Sequence, residues 1–131
     1  MAGVVVDTNI VSYLFKGDSR AFTYEAHLAG HERLVSFMTL AELDRWALAR
    51  HWGSPRKLKL ARFLQRFLPV YANRTLCQWW AEVSHRAARA GEPIDAADAW
   101  IAATALALDI PLLTHNPEDF AAVDGLTILT A

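Results

Sequence analysis

The feature that most constrains the fold is a series of short apolar segments that alternate with segments of helical pattern. The first, residues 4–6, is three valines without polar alternation, which is typical of a parallel strand buried on both faces. Four more such segments follow, at 34–37, 68–71, 110–114 and 126–129. Strands that alternate with helices predict a central, mostly parallel sheet with helices on both faces, and so an α/β fold.

The segments between the strands carry helix-start residues at suitable positions. We expect Asn9 to cap the first helix and Asp95 to cap the helix that runs to Leu108. Thr39, with Glu42 three residues later, has the pattern of a capping box at the start of another helix. The other predicted helical segments are 21–29, a helix that begins at Pro55, 75–90, and a turn that begins at Asn116.

Length and composition indicate one compact domain that covers residues 1–131. Hydrophobic residues make up 53% of the chain and charged residues 21%, which allows a sizeable core and excludes a disordered protein. No apolar run is long enough to cross a bilayer, and the first residues resemble a strand rather than a signal peptide. We therefore expect a cytoplasmic protein. Cys77 is the only cysteine, which excludes an intrachain disulfide and a cysteine zinc cluster.

Acidic residues follow several of the predicted strands. Asp7 follows the first strand, Glu42 lies just after the second, and Asn116 and Asp119 come after the fourth. Ligands of parallel sheets bind beyond the carboxyl ends of the strands, so these side chains are expected to lie near one another. Asp98, in the first turn of the helix that precedes the fourth strand, is not placed by this rule alone. Converging carboxylates favour a hard cation such as Mg²⁺ or Mn²⁺, which suits hydrolysis of a phosphodiester.

Most of these residues also have a purely structural interpretation. Glu42 could complete the capping box, and Asp98 could be the third residue after the cap Asp95. Asn116 could be a plain helix cap, and Asp119 a solvated acid. A carboxylate that ends a buried strand has no local structural need, so Asp7 is the acid that most favours a functional site.

Four motifs of the chain resemble those of the PIN-domain ribonucleases, and specifically the VapC toxins of VapBC toxin–antitoxin modules. They span nearly the whole chain in the family's order: Val5-Val6-Asp7-Thr8-Asn9, Thr39-Leu40-Ala41-Glu42-Leu43, Asp98-Ala99-Trp100-Ile101-Ala102-Ala103 and Leu113-Thr114-His115-Asn116-Pro117-Glu118-Asp119-Phe120. The resemblance implies a PIN-like three-layer α/β/α sandwich and an endoribonuclease that depends on Mg²⁺ or Mn²⁺.

The resemblance also assigns roles to residues. Asp7, Glu42 and Asp98 fall on the family's three acidic positions, and Asn116 falls where many members carry a fourth acid. Direct metal ligation by Asn116 is therefore open, and Asp119 is an alternative source of the fourth charge. Thr8 and Thr114 fall at positions that often line the site. The resemblance further implies a homodimer and a VapB antitoxin that blocks the active site, often through a basic side chain.

Charge distribution suggests where RNA would bind. The net charge is −1, yet there is no acidic residue between Asp44 and Glu82, a stretch that is rich in arginine and lysine. This basic stretch is either a solvated helix face or a surface that neutralises RNA phosphates. The candidate RNA-binding residues are Arg45, Arg50, Arg56 and Lys57.

Two further interpretations remain open. Trp79 and Trp80 are adjacent on a predicted helix and cannot both face one core, so one of them is a candidate for a dimer or partner contact. A catalytically inactive PIN-like module that binds RNA or a protein partner is the alternative function. Three intact acidic positions argue against it. A receiver domain and a dehalogenase-type phosphatase are both disfavoured, because the chain lacks the residues that these two classes require.

Overall fold

The computed structural model describes residues 2–131, and its centre is a five-stranded sheet. The strands are β1 (Gly3–Val6), β2 (Glu32–Ser36), β3 (Leu68–Val70), β4 (Leu112–Leu113) and β5 (Ile128–Leu129). Their order is β3-β2-β1-β4-β5, and every neighbouring pair is parallel. The predicted sheet is therefore confirmed. Pro69 lies in the edge strand β3, where its missing N–H is tolerated.

Six α-helices connect the strands: α1 (Thr8–Lys16), α2 (Glu25–Leu28), α3 (Phe37–Ala49), α4 (Ser54–Leu64), α5 (Arg74–Arg89) and α6 (Ala96–Leu108). Two 3-10 segments, Ser19–Tyr24 and Pro117–Phe120, complete the described chain. The stretch 21–29 is helical as predicted but is divided, because residues 21–24 belong to the 3-10 segment and residues 25–28 form α2. Within residues 2–131, no helix is both long and apolar enough to span a membrane.

The sheet separates two apolar cores, as the alternation of side chains along β1 requires. Val4 and Val6 pack on one face with residues of α1, α3 and α4, whereas Val5 packs on the other face with residues of α5 and α6. All three valines are fully buried. The predicted three-layer α/β/α sandwich is therefore confirmed.

Two helices begin directly at strand ends, which corrects two predicted caps. The backbone N–H of Met38 donates to Oγ of Ser36 at 3.1 Å, so α3 begins at Phe37 and Ser36 is its cap. The predicted capping box of Thr39 and Glu42 is therefore wrong. Asn9 is likewise not a cap, because α1 begins at Thr8 and Asp7 takes that position. In both cases no loop separates strand from helix, so the residue at the strand end becomes the cap.

The cap of α3 can be tested with a matched pair of variants. We expect Ser36→Ala to lower the free energy of unfolding by about 1 kcal/mol, because a helix N–H loses its acceptor. Asn9→Ala should be neutral or slightly stabilising, because Asn9 is exposed inside α1 and alanine has the higher helix propensity. Urea unfolding of both variants measures the difference, and a larger loss in Asn9→Ala would contradict the assignment.

Candidate active site

Asp7 lies where the sheet order changes direction, between β1 and β4. Its Oδ1 accepts from the backbone N–H of Thr8 at 2.8 Å, and its Oδ2 accepts from the hydroxyl of Thr114 at 2.7 Å. Thr114 is fully buried and also accepts from the backbone N–H of Asn116 at 3.0 Å. The expectation that Asp7 has no local structural role is therefore wrong, since its carboxylate also caps α1. Its other oxygen, however, makes a tertiary contact that a cap does not need.

The environment of Asp7 disfavours a bare negative charge. Only 6% of the residue is exposed, and this burial is the largest influence on its pKa. The hydrogen bonds from Thr114 and Thr8 lower the pKa, but burial and the charge of Asp119 outweigh them, so it lies above its ordinary value. A cation beside Asp7 would offset the cost of burying its negative charge.

Glu42 is held by a chain of hydroxyl groups. The hydroxyl of Thr8 donates to Oε1 of Glu42 at 2.7 Å and lies 2.9 Å from the hydroxyl of Thr39. The single hydroxyl proton of Thr8 is used in the hydrogen bond to Glu42. The hydroxyl of Thr39 must therefore be the donor in the second contact. Thr39 is fully buried on α3. Glu42 is thus fixed by a contact with α1 rather than by a helix cap.

Asp98 joins these carboxylates from α6, which packs against β1 and β2. The pKa of Asp98 is raised from 3.8 to about 7. Partial burial is the main cause, and the four charges that add to it are all acidic: Asp7, Asp119, Asp95 and Glu42. The structure therefore brings Asp98 to the acidic cluster, although the strand-end rule alone did not place it. Asp95 caps α6 as predicted, because its carboxylate accepts from the N–H of Ala97.

The fourth position involves both Asn116 and Asp119. Asn116 precedes the 3-10 segment Pro117–Phe120, but its side chain makes no capping hydrogen bond, so its predicted structural role is not observed. Asp119 is exposed, and its charge raises the pKa of both Asp7 and Asp98. Asp119 therefore belongs to the acidic cluster rather than being an isolated solvated acid.

The donor chemistry of this cluster fits a hard divalent cation, since carboxylate and amide oxygens surround one sheet edge. Among the side chains of residues 2–131, however, no three His, Cys, Asp or Glu residues converge as a finished metal site. Hydrogen bonds hold two of the carboxylates, Asp7 and Glu42, in place.

The four predicted RNA-binding residues are all exposed, and they lie at different distances from the acids. Arg45 is one turn beyond Glu42 on α3. Arg50 is about 12 Å from Glu42 along the helix axis. The guanidinium of Arg56 lies 4.1 Å from the ring centre of Trp52, near Lys57 at the start of α4. Arg45 is thus the one of the four that helix geometry places beside the acidic cluster.

An aromatic cluster around His115 was missed by the sequence analysis. The hydroxyl of the buried Tyr24 is hydrogen-bonded to Nδ1 of His115, and the ring of Tyr13 meets His115 edge-on at 5.3 Å. His115 lies between Thr114 and Asn116, so this cluster supports the segment that holds Asp7. The only signal in the sequence was a histidine inside the fourth motif.

Comparison with known proteins places this chain in a family. The PIN domain profile matches residues 4–126. Ribonuclease VapC1 of Haemophilus influenzae strain R2866 is 32% identical over 126 residues, which cover 93% of this chain and 92% of that protein.

Solved structures show the same fold. VapBC2 from Rickettsia felis, bound to a DNA fragment from its promoter, superposes with a TM-score of 0.86 at 22% identity and covers 98% of both chains. VapBC-1 from nontypeable Haemophilus influenzae superposes with a TM-score of 0.78 at 26% identity, covering 97% of this chain and 96% of that one. The chain therefore belongs to the PIN-domain family, and within it to the VapC group.

Proposed function

We propose that this protein is a toxin-type endoribonuclease that hydrolyses RNA phosphodiester bonds and is inhibited by a cognate VapB-type antitoxin. The observation that carries the proposal is the acidic cluster of Asp7, Glu42 and Asp98 at the carboxyl edge of a PIN fold. The similarity to Ribonuclease VapC1 over 93% of the chain supports RNA as the substrate. The VapBC structures support an antitoxin as partner.

Each residue of the cluster has a role that follows from its contacts. Asp7 is the most rigid carboxylate, because hydrogen bonds from Thr8 and Thr114 hold both of its oxygens. Thr8 also orients Glu42. Without a bound ion, burial and four neighbouring acids raise the pKa of Asp98 to about 7, so a cation at this place would stabilise its charged form.

The proposed cofactor is Mg²⁺, with Mn²⁺ as a substitute. Asp7, Glu42 and Asp98 would hold the ion, and Asn116 or Asp119 would complete its surroundings. When bound, such an ion acidifies a water molecule and stabilises charge on the phosphate. Threonine hydroxyls orient the carboxylates without neutralising them, which leaves their charge available to a cation.

We also propose a domain organisation, a compartment, RNA contacts and an oligomeric state for this protein. We assign residues 1–131 to one domain that works in the cytoplasm, where RNA and an antitoxin would be available. The proposed contacts with RNA phosphates are Arg45, Arg50, Arg56 and Lys57.

A homodimer is also proposed. Trp79 is 38% exposed on α5, whereas Trp80 is partly buried against Trp100, so Trp79 is the tryptophan available to a partner.

An inactive PIN-like module that only binds RNA or a protein is the alternative function. Such a module has no need for several carboxylates that raise one another's pKa. Calorimetric titration with Mn²⁺ separates the two, because a binding-only module would take up no ion at this cluster.

RNA cleavage should depend on the Asp98 carboxylate and on a divalent ion. Asp98→Asn should lower the rate of RNA cleavage by about a hundredfold or more, because it removes a charged ligand from the proposed metal site. EDTA should abolish cleavage by the unmodified protein. Labelled RNA resolved on a denaturing gel measures both effects. Asp44→Asn, an exposed acid on α3, is the matched control, and full activity of Asp98→Asn would refute the assignment.

The source of the fourth negative charge can be tested by metal binding. Asp119→Asn should weaken Mn²⁺ binding by about five- to tenfold, because the charge that acts on both Asp7 and Asp98 is lost. Asn116→Ala removes no charge and should have a smaller effect on affinity. Isothermal titration calorimetry of the two variants gives the comparison, and the reverse order would assign the fourth position to Asn116.

In the absence of metal, the stability of the protein should depend on pH through Asp98. The folded protein holds the Asp98 proton more tightly than the unfolded chain, so this group destabilises the fold as pH rises from about 4 to about 7. Asp98→Asn, which resembles the protonated acid, should therefore be more stable than the unmodified protein above about pH 7. The difference should vanish at low pH. Urea unfolding in EDTA tests this, and a difference independent of pH would contradict it.

A further inference from the structure

The side chain of His115 is held between two tyrosine rings. Its imidazole meets the ring of Tyr13, on α1, edge-on at 5.3 Å, and the ring of Tyr24 at 5.8 Å. Tyr24 ends the 3-10 segment Ser19–Tyr24, and its hydroxyl is hydrogen-bonded to Nδ1 of His115. The side chain of His115 is therefore tied to the segment that follows α1, whereas its backbone belongs to the segment that follows β4.

The burial of Tyr24 determines which of the two groups donates in this hydrogen bond. Tyr24 is fully buried, and its hydroxyl has no second hydrogen-bond partner within residues 2–131. If Nδ1 of His115 carried a proton and donated it, the proton of the phenol would be buried without an acceptor, which costs free energy. The phenol therefore donates to Nδ1, and the proton of the neutral imidazole lies on Nε2.

This tautomer excludes His115 from the ligands of the proposed metal site. An imidazole binds a metal ion through the lone pair of a ring nitrogen. In His115 the phenol occupies the lone pair of Nδ1, and Nε2 carries a proton instead. Although a histidine next to Asn116 could be taken for a ligand, its contacts give it a supporting role.

The backbone around His115 carries the hydrogen bonds that reach Asp7. The N–H of Asn116 donates to the hydroxyl of Thr114 at 3.0 Å, and this hydroxyl donates to Oδ2 of Asp7 at 2.7 Å. His115 is the residue between Thr114 and Asn116, so its backbone conformation sets the first of these contacts. A hydroxyl that accepts one hydrogen bond has fewer orientations for its own proton, so the N–H of Asn116 helps to aim that proton at Asp7.

We propose that Tyr24 is a positioning residue for the metal site and acts on Asp7 through His115. The phenol fixes the imidazole, the imidazole fixes the backbone between Thr114 and Asn116, and this backbone aims the threonine hydroxyl at the carboxylate. Tyr24 is fully buried, so it acts without contacting the ion or the RNA. The proposal rests on the metal-dependent function proposed above, because Asp7 is the most rigid of the carboxylates that would hold the ion.

Mn²⁺ binding to the full chain, measured by isothermal titration calorimetry, tests this role. Tyr24→Phe keeps the ring and removes only the hydroxyl, and it should weaken Mn²⁺ binding by about fivefold or more, because groups that orient metal ligands tune affinity. Tyr13→Phe is the matched control. It makes the same change in the other ring that contacts His115, whose hydroxyl takes no part in the hydrogen bonds that lead to Asp7, and it should stay within about twofold of the parent. An equal loss in both variants would overturn the proposal.

Two variants of His115 separate the functions of its ring nitrogens. His115→Asn places an amide oxygen near the position of Nδ1 and so retains an acceptor for Tyr24, whereas His115→Gln places its amide near the position of Nε2. Mn²⁺ binding should therefore decrease less in His115→Asn than in His115→Gln. The reverse order would contradict the proposal, because it would show that Nε2 is the nitrogen that matters.

The dependence of RNA cleavage on Mn²⁺ concentration distinguishes positioning from a general loss of folded protein. Tyr24→Phe should need about fivefold more Mn²⁺ for half-maximal cleavage, and at saturating Mn²⁺ it should recover most of the parent's kcat. A variant that merely contained less folded protein would lose kcat at every Mn²⁺ concentration, and that outcome would refute the role of Tyr24.

The tautomer of His115 can be measured without metal. Two-bond ¹H–¹⁵N correlations of the imidazole, recorded at about pH 8 where an ordinary imidazole is neutral, should place the proton on Nε2. A proton on Nδ1 would overturn the proposal whether or not the protein binds metal. If the parent binds no Mn²⁺, the metal-dependent function fails and the role of Tyr24 fails with it. Unchanged Mn²⁺ binding by Tyr24→Phe refutes the role of Tyr24 alone, so the two failures are distinguishable.

Discussion

The hydrogen bond from Thr114 to Asp7 is the contact on which the arrangement of the site depends. It joins the ends of the two strands, β1 and β4, between which the sheet order reverses. A hydrogen bond to a charged group contributes about 1.5–3 kcal/mol, yet burial still raises the pKa of Asp7. The fold therefore holds a carboxylate in a place where its own donors do not fully stabilise the charge. That deficit is the physical basis for expecting a cation.

Glu42, like Asp7, is oriented by uncharged hydrogen-bond donors. Thr39 donates to Thr8, and Thr8 donates to Glu42, so two uncharged side chains orient a third that is charged. An arginine or lysine at either threonine would neutralise the acid and compete with a metal ion. A basic side chain of the proposed antitoxin would bind the same carboxylates, since no cationic side chain takes part in the two hydrogen bonds that orient Glu42.

The sequence predicted the layers and the acids well because both depend on local patterns. Apolar runs without alternation predicted buried parallel strands, and the strand-end rule brought Asp7 and Glu42 to one edge. Helix starts were predicted less well, since Asn9 and Thr39 are good capping residues by type. The sequence does not reveal that no loop separates these strands from the helices that follow. As a result, the N-cap residues of α1 and α3 are Asp7 and Ser36.

Tertiary contacts account for what sequence could not supply. The role of Thr39 depends on Thr8, which is distant in the chain and adjacent only because α1 and α3 pack together. The cluster of Tyr13, Tyr24 and His115 likewise requires three segments to meet. The pKa of Asp98 is raised by burial and by the charges of four other acids. No single sequence motif contains all four of them.

The separation of Asp7 and Thr114 along the chain also has a consequence for biosynthesis. The two residues are 107 positions apart, so the first carboxylate cannot acquire its partner until all the residues between them have been made. Pairing of β1 with β4 is therefore a late, non-local event, which topology makes slow compared with helix formation. A nascent chain on the ribosome consequently exposes its strands before it has an assembled site. This order leaves an interval in which Asp7 has been made but is not yet held beside the other acids of the proposed site.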